Sequence, residues 1–147
     1  IKPAYQNFRE HINKQKLEYK VLSLPGLGNY QVLYDSSQGK KYSGMSPLLR
    51  NINKSTLEAE YDNEIKELYK VTLDKNSQRL FGSFNIGRLV IDGDTLPWFG
   101  FVSANPEKLR EHYKNLSQKN FGNISIHTLS QSFIPIVHTT NNIIISR

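Results

Sequence analysis

IGRLVIDGDTLPWFGFV, residues 86–102, is the stretch on which the predicted fold depends. Its first apolar run ends at Asp92-Gly93, a dipeptide that tolerates the positive φ angles of a tight two-residue turn. A second apolar run follows, and Pro97 within it has no N–H to donate to a strand ladder. The stretch therefore predicts a β-hairpin whose second strand is an edge strand or is bulged at Pro97.

Helices and further strands are predicted on both sides of this hairpin. Apolar residues at helical spacing predict helices over about residues 4–20, 55–72 and 105–120. The second helix has the capping-box spacing at its start, in which Ser55 and Glu58 satisfy each other's backbone N–H groups. Short apolar or alternating runs predict strands at residues 30–35, 122–129, 132–140 and 142–147.

The order of these elements and their short connections favour an α+β fold. We predict a mostly antiparallel sheet of about five or six strands packed with two or three helices. A chain of 147 residues has the length of one ordinary domain, so a single compact domain over residues 1–147 is expected.

Composition predicts a soluble globular domain. The chain is 37% hydrophobic, and no apolar run approaches the ~20 residues needed to cross a bilayer, so no transmembrane segment is expected. It begins at Ile1 without a signal-peptide pattern, which is typical of a domain excised from a longer chain. Secretion, or delivery as an effector domain, is one expected setting.

Several residue types and motifs that common catalytic and metal sites require are missing from the sequence, which reduces the number of possible activities. The chain has no Cys, which excludes disulfides, thiolate zinc sites and cysteine nucleophiles. Gly-rich phosphate loops, the serine-hydrolase nucleophile elbow, the His-Glu-x-x-His zinc motif and the EF-hand loop are also missing. The Asp-Gly-Asp sequence at 92–94 is typical of a tight turn, and the Glu-x-Lys triplets at Glu18 and Glu64 fall in predicted helices. We therefore expect neither a metal nor a cofactor.

Positive charge is concentrated at the two ends of the chain. Nine basic and three acidic residues give +6 over 1–54, and five basic and two acidic residues give +3 over 105–147. Residues 55–70 hold two basic and five acidic side chains, a net −3. If the ends meet in space, they form a surface suited to RNA or another polyanion, or to an acidic inhibitor protein.

Three histidines carry the strongest indication of catalysis. His112, His127 and His138 lie within a 27-residue segment. Metal-free cleavage of RNA needs a general base for the 2′-OH proton, a general acid for the leaving 5′-oxygen, and a cation for the phosphorane charge. Two imidazoles that titrate near neutral pH and one lysine can fill these roles.

The spacing of the histidines limits how they can pair. If residues 124–129 and 132–139 formed a tight hairpin, His127 and His138 would lie roughly 13 Å apart at ~3.4 Å per residue, too far to flank one phosphate. A pairing of His112 with one strand histidine has no such limit. Alternatively, each histidine is a partly buried structural residue held by a hydrogen bond.

The candidate site follows from this chemistry. The predicted catalytic residues are His127, His138, His112, Lys119 and Thr140. The predicted substrate-binding residues are Arg110, Tyr113, Lys114, Trp98 and Arg88. An exposed aromatic row around Trp98 could stack on bases, although strand geometry places at least one of Trp98 and Phe99 in the core.

Two resemblances bear on these residues. His138-Thr139-Thr140 resembles the His-x-Thr tripeptide of the two-histidine phosphoesterases, but His127-Thr128-Leu129 departs from that pattern and lies closer in sequence than the family's second motif does. In size, charge, missing Cys and histidine content, the chain resembles the excised nuclease ends of larger secreted bacterial toxins.

The leading hypothesis is a metal-independent ribonuclease, a toxin-like domain acting on RNA through histidine general acid–base chemistry. The alternative is a non-catalytic module that binds a polyanion or an acidic protein partner. A third possibility is an enzyme that acts on a nucleotide or a sugar through a site without a known motif.

Overall fold

The computed structural model describes residues 3–15, 19–25, 32–35, 41–44, 56–57, 63–96 and 105–130. Within these residues the helices are α1 (Pro3–Lys14), α2 (Asn63–Lys70), α3 (Ser77–Ser83) and α4 (Pro106–His112). The strands are β1 (Lys20–Leu24), β2 (Val32–Asp35), β3 (Lys41–Gly44), β4 (Thr56–Leu57), β5 (Ile86–Asp92), β6 (Thr95–Leu96), β7 (Ser117–Phe121) and β8 (Ile124–Thr128).

The main sheet is mixed and has five described strands, in the order β4-β1-β5-β8-β7. Strand β1 is parallel to both β4 and β5, whereas β8 is antiparallel to both β5 and β7. A second, three-stranded antiparallel sheet has the order β3-β2-β6. The fold is compatible with the predicted α+β class, but the prediction of a mostly antiparallel sheet is wrong for the main sheet.

The sheet is not mostly antiparallel partly because it contains β1, a strand that the sequence does not predict and whose first residue it places in a helix. Apolar residues at helical spacing predict one helix through about residue 20, but α1 ends at Lys14 and Lys20 begins β1. Three of the five β1 residues are buried, so the strand lies inside the sheet. The spacing of Tyr19 from the apolar residues of α1 therefore misled the prediction.

The helix predicted to begin near residue 55 is not present at Thr56 and Leu57, and the two capping-box residues, Ser55 and Glu58, lie outside the described residues. Thr56 and Leu57 lie in β4, where they pair in parallel with Val21 and Leu22 of β1, and helix α2 begins only at Asn63. Pairing with a central strand supplies backbone hydrogen bonds that a local capping preference does not outweigh.

The predicted hairpin across Asp92-Gly93 does not form. Strand β5 has β1 on one edge and β8 on the other, so no edge remains for the residues after the turn. Gly93 N donates instead to Asn123 O at 2.7 Å, and the chain crosses to the second sheet, where β6 pairs with β2. Residues 97–102, including Pro97, lie outside the described residues.

The third predicted helix is shorter than expected. Helix α4 ends at His112, and residues 117–121 form strand β7. Strands β7 and β8 are joined by a tight turn in which Gly122 has a φ of +56°, a conformation that glycine adopts without strain. Residues 124–128 of the predicted strand 122–129 form β8, which pairs with β7 and β5, whereas the predicted strands at 132–140 and 142–147 lie outside the described residues.

Helices cover both faces of the main sheet. On one face α1 buries a cluster made of Tyr5, Phe8, Ile12, Val21, Val90, Ile124 and Ile126, with Phe121 packed against it. On the other face, side chains from α2, α3 and α4 pack on the sheet in a cluster made of Leu22, Leu24, Leu68, Phe81, Ile86, Leu89, Ile91, Leu109, Tyr113 and Leu129. Alternate residues of β5 and β8 therefore face different helices.

None of the helices in the described part of the chain has the length and apolar character that crossing a bilayer requires.

Candidate functional site

The structure describes seven of the predicted site residues. These are His112, His127, Lys119, Arg110, Tyr113, Lys114 and Arg88. The other three, His138, Thr140 and Trp98, lie outside the described residues.

His127 lies in the interior of the protein. It is 0% exposed, on the face of β8 that α4 covers. Its Nδ1 lies 3.3 Å from the carbonyl oxygen of Tyr113, and its Nε2 lies 3.0 Å from Ser125 Oγ. A carbonyl oxygen can only accept, so Nδ1 carries the proton and Nε2 accepts from the serine hydroxyl. Both nitrogens of the neutral ring are thereby satisfied.

Burial also sets the charge of this ring. It lowers the pKa of His127, an effect that the hydrogen bond to the Tyr113 carbonyl opposes and the nearby Arg110 guanidinium reinforces. The ring is therefore neutral near pH 7. A general base or acid must come within hydrogen-bonding reach of its substrate, and here the protein itself occupies both nitrogens. The predicted catalytic role of His127 stays a prediction, and it requires the covering residues to move.

Tyr113 joins His112 to the same interior. Its ring packs against His112 edge-on, with the ring centres 4.7 Å apart, and lies 6.4 Å from the ring of His127. The Tyr113 hydroxyl donates to Thr72 O and lies 3.0 Å from Ser77 Oγ, which is 3.4 Å from His112 Nε2. Two of the predicted site residues thus meet at Tyr113, but its hydroxyl points inward.

The environment of the Tyr113 hydroxyl keeps it protonated. Burial raises its pKa to about 12; the hydrogen bond with Ser77 opposes this rise, and the nearby Asp74 carboxylate adds to it. A phenol of this kind donates a hydrogen bond and does not act as a base near pH 7. In this conformation Tyr113 therefore organises the interior beneath α4.

The other predicted cations are engaged at separate places, although Arg110 lies near enough to His127 to affect its pKa. Arg110 donates from Nη2 to the Asn123 carbonyl beside Gly93. Lys114 forms an exposed ion pair with Glu111 one turn earlier. Arg88 is half-buried and donates to its neighbour's carbonyl at 2.9 Å, and desolvation lowers its pKa.

The Asp92-Gly93-Asp94 turn has a structural explanation. The Asp92 carboxylate is 2% exposed and accepts from the Tyr5 hydroxyl at 3.0 and 3.1 Å. It also accepts from Asp94 N at 3.0 Å, while Asn123 Nδ2 donates to Asp94 Oδ1 at 2.7 Å. Among the residues that can be described, no three His, Asp or Glu side chains are arranged to hold a metal ion.

Lys119 has a partner that the sequence does not indicate. Its Nζ lies 3.3 Å from Nδ1 of His11, which belongs to α1, 108 residues earlier in the chain. His11 packs on the ring of Phe121 with the ring centres 5.1 Å apart, and Lys119 Nζ lies 5.6 Å from the centre of the same ring. Gln15 Nε2 is 2.8 Å from His11 Nε2. We call His11, Gln15, Lys119 and Phe121 the His11 patch.

The charge of Lys119 changes the pKa of His11, the other basic group of the patch. Partial burial lowers the pKa of His11, and the positive charge of Lys119 lowers it further. Near pH 7 the ring is therefore neutral, and Nδ1 accepts a hydrogen bond from Lys119. The ring proton then lies on Nε2 and is donated to the side-chain amide of Gln15, whose oxygen must take the position beside Nε2. Over the described ranges no carboxylate forms an ion pair with Lys119. Its charge is thus available to an anion from outside.

The setting of the patch is open. Residues 117–120 of β7 are all exposed, although successive side chains point to opposite faces of the sheet. Strand β7 is also the last strand of the main sheet as far as the chain is described. Lys14, three residues after His11 in α1, is exposed and adds a second lysine to the same side of the helix.

Comparison with protein-family models, with curated proteins and with solved structures gives no match for this chain.

Proposed function

We propose that this protein binds RNA, or a polyanion of similar charge density, through the His11 patch. The contact between Lys119 and His11 carries the proposal, because it places a lysine without a described acidic partner beside a second group able to become cationic. Proteins that bind nucleic acid neutralise its phosphate groups with exposed lysines of this kind. The net charge of +6 supports the same conclusion.

The aromatic ring of the patch favours single-stranded RNA over a featureless polyanion. Phe121 is partly exposed and lies beneath both His11 and Lys119. Because His11 and Lys119 cover the Phe121 ring, a base would stack on the outer face of the His11 imidazole, which Phe121 supports, while Lys119 holds the backbone. Phe8 packs edge-on against Phe121 at 6.1 Å and fixes the position of its ring.

A binding measurement tests this proposal. Fluorescence anisotropy of a labelled single-stranded RNA should show binding that weakens as salt is added, and Lys119→Gln should reduce both affinity and the salt slope, the latter by about 1. Lys70→Gln is the matched control, because Lys70 is an exposed lysine paired with Glu67 on α2. Equal loss in both variants, or no RNA binding by the wild-type chain, would contradict the proposal.

The same assay separates the alternative ligands. A non-nucleic polyanion such as heparin should compete through charge alone, whereas RNA gains the stacking contact. If heparin binds and RNA does not, the ligand class is wrong. If only an acidic protein binds, the module serves a protein partner instead.

Ribonuclease activity is the second candidate. The observation that favours it is the pairing of a neutral imidazole, His11, with the Lys119 cation, which supplies a general base and a group for the phosphorane charge. The base would remove the 2′-OH proton. Of the histidines that the sequence predicts to be catalytic, His112 and His127 lie on the opposite face of the sheet from His11, so the general acid in this scheme would be His138, which lies outside the described residues.

Incubation of the protein with RNA in excess EDTA tests this second candidate. Cleavage that is lost in folded His11→Gln would support it. Intact RNA with the wild-type protein would exclude metal-free cleavage while leaving RNA binding unaffected. Cleavage that survives His11→Gln but not His112→Gln would move the catalytic site to α4.

A further inference from the structure

We infer that the His11 patch takes up a proton at His11 when it binds an RNA phosphodiester, so that RNA affinity rises as the pH falls. This inference rests on the proposed function and concerns the regulation of the same site. The geometry behind it is the 3.3 Å contact between Lys119 Nζ and His11 Nδ1.

When His11 is neutral, the patch cannot use all of its nitrogen atoms to donate hydrogen bonds to a phosphate. Lys119 has three N–H donors and no acceptor, and it directs one donor at the lone pair of Nδ1. A phosphate oxygen that approached Nδ1 would meet that lone pair. In the neutral state the phosphate is therefore held by Lys119 without help from this nitrogen of His11.

Protonation changes both groups at once. The proton on Nδ1 converts it into a donor, and the lysine hydrogen bond to that nitrogen is lost. Two positive charges 3.3 Å apart then repel each other unless an anion lies between them. A phosphodiester can accept from both nitrogens, so the bound anion favours the protonated ring.

Among the described residues, Lys119 is the charged group that affects the His11 ring. On β7 the titratable group that faces His11 is Lys119, and Phe121 contributes an uncharged ring. Along α1, Gln15 is uncharged, Lys14 adds positive charge, and Glu10 accepts a hydrogen bond from Gln6. The arriving phosphate is thus the main negative charge close to His11 among these groups.

The sign of the effect follows from linkage. Burial and Lys119 lower the pKa of His11 in the free protein, and a bound anion raises it again. The complex therefore binds more protons than the free protein, and affinity increases as pH falls. The gain is about tenfold for each unit by which the bound phosphodiester raises the pKa of His11.

The test is RNA affinity as a function of pH between about 5.5 and 8, where an unperturbed histidine titrates. The probe is a single-stranded oligonucleotide of roughly ten nucleotides without terminal phosphate, because internal phosphodiesters keep their charge throughout this range. Circular dichroism at each pH restricts the comparison to folded protein.

Wild-type protein and Lys70→Gln should bind more tightly at low pH, whereas His11→Gln and His11→Asn should lose most of this dependence. Histidine NMR should show the pKa of His11 rising on addition of the oligonucleotide. An unchanged pH dependence in both His11 variants, or a pKa of His11 that does not rise, would overturn the inference while RNA binding stands. No binding at any pH would overturn the proposed function itself.

Discussion

His127 illustrates how a residue type that suggests catalysis can serve the interior of a fold. Its ring is 0% exposed, and both nitrogens have protein partners that suit the neutral form. A sequence shows that a histidine lies in a strand, but not which other element covers that strand. Here the cover comes from the end of α4 and from Tyr113, the residue that follows it, whose carbonyl accepts a hydrogen bond from the ring.

Buried, neutral His127 should make stability depend on pH. Its pKa in the folded state lies below the ordinary value of 6.5, so the unfolded chain binds a proton more readily. The stabilising contribution is present above pH 6.5 and is lost as the pH falls toward the folded-state value. Urea unfolding at about pH 7.5 and 5.5 measures this effect. The free energy of unfolding should fall less between the two pH values for His127→Gln than for the wild-type protein. An equal loss in both proteins would contradict this assignment.

Tyr113→Phe should destabilise the protein without altering the shape of its core. Removal of the hydroxyl leaves the Thr72 carbonyl without this donor in a buried setting, which costs about 1–3 kcal/mol. Urea unfolding measures the change. Tyr19→Phe is the control, since no hydrogen bond of the Tyr19 hydroxyl is found among the described residues, and a similar loss in both variants would argue against a specific role for the Tyr113 hydroxyl.

At the scale of elements, the β7–β8 hairpin depends on its turn. Gly122 has a φ of +56°, and a Cβ at this position would lie 3.2 Å from the Cβ of Ala4. Gly122→Ala should therefore lower the free energy of unfolding by about 1–2 kcal/mol, the cost of a left-handed conformation for a residue with a Cβ. Gly122→Asn should cost less, because asparagine tolerates this conformation better. Chemical denaturation of both variants compares them, and equal stability of Gly122→Ala and wild type would refute the prediction.

Local sequence signals predicted some elements correctly and misassigned others for identifiable reasons. The amphipathic spacing of Tyr5, Phe8 and Ile12 predicts α1, and all three are buried against the sheet. Strand β4 was missed because its pairing with β1 is a tertiary contact that overrides a capping preference. The same limit explains why the sequence indicates Lys119 as a candidate site residue but does not indicate His11, whose contact with Lys119 is tertiary.

At the scale of the whole molecule, the +6 charge should govern association more than stability. RNA binding should weaken when salt is raised from about 50 to 200 mM, because the released counterions no longer favour the complex as strongly. The midpoint of urea unfolding should change far less, since most charged side chains of the described residues lie at the surface. Anisotropy titrations at both salt concentrations test the expected change in RNA affinity, and urea titrations test the expected constancy of the unfolding midpoint. Salt-independent RNA binding would contradict an electrostatic interface.

The mixed sheet also explains why the global architecture was hard to predict. Strands β1 and β5 are parallel neighbours although about sixty residues separate them, and the intervening chain includes α2 and α3. Such a crossover is not visible in the alternation of apolar residues, which is similar for parallel and antiparallel strands. The sequence therefore predicts that helices and strands are both present, but it does not predict which strand pairs with β5, because that strand, β1, is distant in sequence.

Lys119 lies in the middle of the last described strand of the main sheet, and this position bears on solubility. A strand from a second molecule that paired with β7 would have to place its own residues beside this charge, and lysines on strand edges discourage such pairing. The residue proposed to attract RNA would then also keep copies of the protein from aggregating through their sheets. Loss of its charge would remove both effects together, so self-association is the expected side effect of Lys119→Gln.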